Sequence, residues 1–453
     1  MNIQEWKKLN KTKQQYYLHR SEGNFQAAYT AVQPIIDRVR NRGDAALREY
    51  TRRFDGAHIS SITVGGDEFS EAEQILSSEM KEAIEYAIEN VRNFHRKQMR
   101  GDVPADFGAA AGGTAEVPAE VPVELCTVRP GIRAGKRYTA IDSVGLYVPR
   151  GRGSFPSMLY MLAVPAVLAS VPHISIATPP QPNGKVDPAC LYAARVCGIE
   201  LIYRIGGSQA IAALAFGTET VQKVLKVVGP GSIYVNAAKR LLADTIDTGL
   251  PAGPSEAVVV ADAGADPHLV TLDLCTEAEH GSDSSAVLIT DSPELAMEVK
   301  KKVEQYVNEI PLPRKTFITD VFQKYGGIFL VDTIEEALKL ADTFAPEHLQ
   351  IQTATPQKHL EQVKNAGEIL LGPYTPFTMA NYAAGANAVL PTGGKARTWS
   401  AVSVQDFIKS TSIVEIDAAG YADLEKHCRV LAEYEGFYAH HEAIARRIFT
   451  ETT

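Results

Sequence analysis

Cysteine is scarce: five residues in a chain of 453, with no pair in C-x-x-C spacing. That excludes a disulfide-stapled scaffold and the common cysteine zinc motifs, and it suits a reducing compartment. Long apolar runs are missing as well, since the longest, 158–171, is too short for a bilayer and contains Pro165. Residues 1–19 lack the apolar core of a signal peptide, so a cytoplasmic protein without a membrane partner is expected. No basic run exceeds Lys300, Lys301 and Lys302 in a chain of formal charge -9, which excludes a phosphate-backbone footprint and hence nucleic acid. A complete dinucleotide fingerprint is absent too: Gly151-Arg152-Gly153 fails at Pro156, and neither Gly206-Gly207 nor Gly229-Pro230-Gly231 completes G-x-G-x-x-G.

What is present is an ordinary globular composition, 45% hydrophobic and 22% charged, at a length that one core seldom organises. The first hundred residues read as helical, with Ile35, Val39, Ala46 and Tyr50 near helical spacing and Gly43-Asp44 as an internal start signal. Residues 101–122 turn to Ala, Gly, Pro and Val without periodicity and read as a surface loop or insertion. Strands at 144–148, 174–177, 201–205 and 224–228 then alternate with helices at 158–169, 188–197 and 210–215. A second series places strands at 257–261, 286–289, 328–331 and 349–353 between helices at 267–280, 293–307 and 334–344. Such alternation predicts two α/β domains with parallel sheets, followed by a helical tail from 401.

Several short patterns can carry chemistry, each with an ordinary alternative. Asp266 as N-cap, Pro267 at the first turn and Gly281 at the end predict a helix that carries Glu277 and His280 on one face. A carboxylate and an imidazole three apart can share a metal ion, or be solvated decoration. Glu347-His348, in the loop before a strand, can divide base and water-activating work, or be an uninvolved exposed dipeptide. The segment running from Glu435 to His440 and His441 is open to the same two readings.

Taken in order the segments converge. Val144-Gly145-Leu146-Tyr147-Val148-Pro149, Gly206-Gly207-Ser208-Gln209, Gly229-Pro230-Gly231, Pro251-Ala252-Gly253-Pro254-Ser255-Glu256, Ala278-Glu279-His280-Gly281, Pro346-Glu347-His348-Leu349 and Val389-Leu390-Pro391-Thr392 together resemble the histidinol dehydrogenase family. Arg42-Gly43-Asp44-Ala45-Ala46-Leu47 and Phe54-Asp55-Gly56 extend the resemblance toward the N-terminus.

The resemblance implies an α/β fold of two incomplete Rossmann-like parallel-sheet domains with small helical N- and C-terminal pieces. The expected divisions are an arm at 1–40, a discontinuous catalytic domain at 41–145 and 256–400, an NAD-binding domain at 146–255, and a tail at 401–453. It also implies a homodimer with exchanged tails, one zinc ion per subunit, and NAD-linked oxidation of an amino alcohol, L-histidinol, through the aldehyde to the acid. Tyr147, Gln209 and Ser232 match NAD-contacting positions. Glu347 matches the water-activating carboxylate and His348 the general base, with His348 also a substrate contact. Glu277, His280, Asn381 and His440 match zinc ligands that also meet substrate, while Ser255 and Glu435 match further substrate contacts.

Four positions depart from the family pattern. Ser232 stands for an asparagine, Glu277 for a glutamine, Asn381 for an aspartate and Ala388 for a histidine, and Thr248-Gly249-Leu250 replaces an Ile-Asp-Met lead-in. The Glu277 and Asn381 changes exchange a carboxylate and an amide, so the donor set keeps its charge and zinc is expected to bind. Ala388 and Ser232 have no such compensation, which leaves open a paralogue acting on another small polar alcohol. A catalytically weakened ligand-binding relative is the third reading, opposed by the retained Glu347 and His348.

Overall fold

A computed structural model of the chain describes residues 1–20, 25–102, 124–151 and 153–447. Nearly all of the expected insertion at 101–122 lies outside the described residues; Gly101 and Asp102 close the helix Ser78–Asp102.

The described chain divides into two units, one of Met1–Met99 with Ile141–Phe407 and one of Arg100–Ala140 with Ile408–Thr453. The first holds two parallel sheets. Its six-stranded sheet runs Ile3–Glu5, Gly327–Leu330, Ser285–Thr290, Glu256–Ala261, His348–Gln352, Glu368–Leu371. The central strands Glu256–Ala261 and Ser285–Thr290 are buried at every residue, as a parallel sheet covered on both faces requires, so they read as continuous apolar runs without alternation. The four-stranded sheet runs Ile202–Tyr203, His173–Ala177, Ser143–Tyr147, Lys226–Val228.

The strand Ile3–Glu5 pairs with Gly327–Leu330, so the start of the arm belongs to the six-stranded sheet. Helix Phe25–Asp55 breaks at Gly43 (φ 49°), where the Glu219 carboxylate accepts the N–H of Asp44 at 2.7 Å. A Cβ at Gly43 would lie 2.1 Å from that carboxylate, which is why glycine stands at the restart. Val32, Val39, Leu47 and Tyr50 of this helix share one core with Tyr147, Ala212 and Val227, so it covers the four-stranded sheet.

The second unit corrects the expectation of a wholly helical tail. Ile408–Ile416 pairs antiparallel with Ile132–Ala140, which pairs in turn with Glu124–Arg129. Only then come the helices Ala418–Tyr434 and Tyr438–Ala445. Among the described residues no helix is long and apolar enough to cross a membrane.

His95, fully buried on helix Ser78–Asp102, sets a pH limit on the fold. Its Nδ1 lies 2.9 Å from Gln98 Oε1 and its Nε2 lies 3.3 Å from Asn387 Nδ2, an arrangement made for a neutral ring. Burial pushes its pKa down to about 4, below the ordinary 6.5. The unfolded chain therefore takes up this proton first as pH falls, and stability is lost between those two values, about 2 kcal/mol of it by pH 5. Thermal melting at pH 7 and pH 5 is expected to show a larger drop for the native protein than for His95→Gln.

Candidate active site

The site lies where the amino ends of the six-stranded sheet meet the carboxyl ends of the four-stranded one. Glu256 starts one strand directly after Ser255, and His348 begins the next in register, beside Ala257. Helix Ile334–Phe344 ends on Ala345 in the left-handed conformation (φ 47°), an uncommon one for alanine that turns Glu347 and His348 onto the sheet. Helix Pro267–Ala278 delivers Glu277 in its last turn, capped at its start by Asp266, whose carboxylate accepts from His268 N. That helix stops earlier than the sequence suggests: Glu279 is its C-cap, and Gly281 has no left-handed role. His280 nevertheless turns back, with Nδ1 3.5 Å from a Glu277 oxygen and 3.2 Å from the Thr276 carbonyl.

Glu277 is fully buried and completely engaged. One oxygen accepts from Ser255 Oγ at 2.7 Å and the other from Asn381 Nδ2 at 2.8 Å. Burial works against its charge, but His280 and His348, then the Ser255 and Asn381 hydrogen bonds, hold it below the usual carboxylate range. Glu347 accepts the Glu256 N–H at 2.9 Å and lies 3.0 Å from the same Ser255 hydroxyl. Burial raises its carboxyl to about 8; His348 pulls it down and Glu277 pushes it up. Ser255 has one hydroxyl proton and two acidic neighbours, so it donates to ionised Glu277 while Glu347 holds its own proton at neutral pH. His348 is also buried; burial disfavours its charge, yet Glu277, the Glu368 hydrogen bond and Glu347 raise it to about 9.

Glu256 carries a further charge underneath. It is paired with Arg20 at 2.6 Å, both side chains being almost wholly buried, and its other oxygen accepts the Gly393 N–H at 3.0 Å. The Arg20 guanidinium also lies 3.5 Å over the Phe344 ring. An ion pair joining residues so distant in sequence leaves no local pattern, and sequence reasoning missed both.

Ser232, Ser255, Glu277, His280, Glu347, His348 and Asn381 all line one cavity of about 1750 Å³. Ala388 is on the same wall. Tyr147 and Gln209 are not on it; they are buried beside it at the carboxyl end of the four-stranded sheet. The Tyr147 hydroxyl accepts the Gly207 N–H at 3.0 Å, and both amide atoms of Gln209 are buried without a hydrogen-bond partner. Glu435 and His440 belong to the second unit, where both are exposed and His440 lies 5.0 Å from the Phe437 ring. Among the described residues no three His, Cys, Asp or Glu side chains form a metal-binding group.

A family profile described as histidinol dehydrogenase matches residues 18–448. The chain belongs to the histidinol dehydrogenase family. As a member it is a dehydrogenase. It is 45% identical over 430 residues to a histidinol dehydrogenase of Synechocystis, with 94% of each chain covered. It is equally identical over 431 residues to a histidinol dehydrogenase homolog of Colwellia psychrerythraea, covering 94% of this chain and 92% of that one. The crystal structure of histidinol dehydrogenase from Elizabethkingia anophelis matches with a TM-score of 0.86 and 31% identity, over 98% of this chain and 96% of that one. The mixed α/β fold with parallel sheets agrees with that structure.

Proposed function

We propose that the chain carries out zinc-dependent, NAD-linked oxidation of histidinol to histidine through the aldehyde. The observation that carries this is the convergence of Glu277, His280 and Asn381 beside Glu347 and His348 on one cavity wall. The donor set fits zinc. Glu277 supplies an ionised carboxylate, Asn381 donates through Nδ2 and keeps Oδ1 as a donor atom for a cation, and the Thr276 carbonyl beside His280 Nδ1 favours Nε2 as the coordinating nitrogen. The fourth ligand is assigned to His440 of a second copy, with Glu435 of that copy holding the substrate ammonium. Exposed apolar side chains on that tail (Val430, Leu431, Tyr434, Phe437, Tyr438) support a homodimer. For NAD, the unpartnered Gln209 amide and the turn Gly229-Pro230-Gly231-Ser232 ahead of helix Ile233–Leu241 suit a dinucleotide.

Zinc, when bound, would supply Lewis-acid polarisation of the alcohol, and NAD would accept the hydride. His348 takes the alcohol proton in its deprotonated form, so with burial outweighed by Glu277 and Glu368 and its pKa raised to about 9, the first oxidation is expected to speed up as pH rises toward that value. Glu347 activates water for the second oxidation once its proton is lost, so with its carboxyl raised by burial to about 8 that step is expected to speed up as pH rises through that value. Ser255 ties Glu277 to Glu347 and leaves the substrate a hydroxyl contact. Five cysteines without a disulfide suit a cytoplasmic setting.

A second reading, the same chemistry on another small polar alcohol, is favoured by Ala388 and Ser232 on the cavity wall, where the family pattern has polar side chains. Values of kcat/KM for histidinol and a panel of polar alcohols, read as NADH formation, separate the two. Histidinol is expected to exceed every other alcohol; a panel member that exceeds histidinol tenfold favours the second reading, and absence of turnover with all of them overturns both.

A further inference from the structure

We propose that Glu368 is the positioning residue of the catalytic base, fixing the tautomer and aim of His348. The inference rests on the reading of His348 as that base.

The arrangement follows from strand register. His348 and Glu368 are the first residues of adjacent parallel strands and face each other directly across the ladder. Side chains so paired share one sheet face, and here the carboxylate reaches His348 Nδ1 at 3.1 Å. The His348 side chain is 3% exposed and that of Glu368 10%, so water competes little for either. The backbone is pinned at the same place. Gly367 N donates to Pro346 O at 3.0 Å and Glu368 N to Glu347 O at 3.0 Å, so one segment holds both members of the Glu347-His348 pair. A Cβ at Gly367 would lie 2.6 Å from the Glu347 carbonyl, so glycine permits the close approach. Phe377 closes the remaining side of the ring, edge-on at 5.6 Å.

An ionised carboxylate only accepts hydrogen bonds, so it keeps a proton on Nδ1 in either charge state of the ring and reserves Nε2 for proton exchange with the substrate. As the ring becomes imidazolium, the same carboxylate stabilises the new charge. Glu368 touches neither the alcohol nor the hydride acceptor in this scheme; it acts through the ring.

Glu368→Ala and Glu368→Gln in the full-length, zinc-replete protein test this, with His348→Ala and the double variant Glu368→Ala/His348→Ala as partners. Glu368→Ala is expected to lower kcat for NADH formation from histidinol about 100-fold while KM stays within about threefold. Glu368→Gln keeps an acceptor oxygen without the charge, and its kcat is expected between those of the native and alanine forms. In the His348→Ala background the second substitution is expected to change kcat less than about threefold, because its effect runs through the missing ring. Native kcat in Glu368→Gln overturns the proposal, and this holds even if the alanine variant does not fold. A full additional loss in the double variant overturns it too, since Glu368 then acts independently of His348. Native kcat in His348→Ala overturns the underlying reading of the base, a result distinguishable from both.

Discussion

His348→Ala is expected to lower kcat with histidinol about 10²- to 10⁴-fold, the usual range for a lost general base, while zinc content changes little. The ring stands at the head of a buried strand, packed against Phe377, and its Nδ1 is in direct contact with Glu368. It is not among the assigned zinc donors, so metal binding should survive its removal. A small cavity remains, and some destabilisation is expected from Glu368 losing a partner, yet the alcohol proton then has no acceptor at the proper place. Initial rates at saturating NAD and histidinol measure the loss, and metal analysis of the same preparation separates it from loss of zinc.

The exchange of a carboxylate and an amide between Glu277 and Asn381 leads to the second large effect. Glu277→Gln removes the only assigned anionic donor and leaves two neutral amides facing one another where a 2.8 Å charge-assisted hydrogen bond stood. Asn381→Asp alone sets a second carboxylate against a fully buried one, so the pair retains a proton that zinc must displace. Each single change is expected to weaken zinc binding about 10- to 100-fold at pH 7. Glu277→Gln with Asn381→Asp restores one carboxylate and one amide and is expected to recover most of the affinity, a coupling of about 2–5 kcal/mol at about 1.4 kcal/mol per tenfold. Competition with a chromophoric chelator gives all three affinities. Additive losses in the double variant would mean that the two positions do not share one ion.

Different parts of this organisation are legible in the sequence for different physical reasons. Helix Pro267–Ala278 is readable from Asp266 and Pro267 because capping is local chemistry, although its end is not, since Glu279 closes it without using Gly281. Strands buried on both faces, such as Glu256–Ala261, announce themselves by apolar residues. The strand Ile3–Glu5 does not, because three edge residues, two half-buried and one exposed, carry no period. The strand Ile408–Ile416 is equally hidden: only Ile408 and Ile413 are even half-buried, so no apolar alternation marks it. In the site, Glu277 is marked by its spacing to His280 on one helix, whereas Asn381 and Ser255 lie far off in the chain and only the family resemblance singles them out. Glu368 and Arg20 escape even that reading, because their partners are chosen by strand register and by burial, which appear only in the folded chain.

The most direct test is the yield of NADH when histidinol is limiting and NAD is in excess. Zinc-replete protein is predicted to form two NADH for each histidinol consumed, protein stripped by a chelator to form none, and re-addition of zinc to restore the yield. One NADH per histidinol, no NADH from the zinc-replete protein, or an undiminished yield after the metal has been removed would contradict the account.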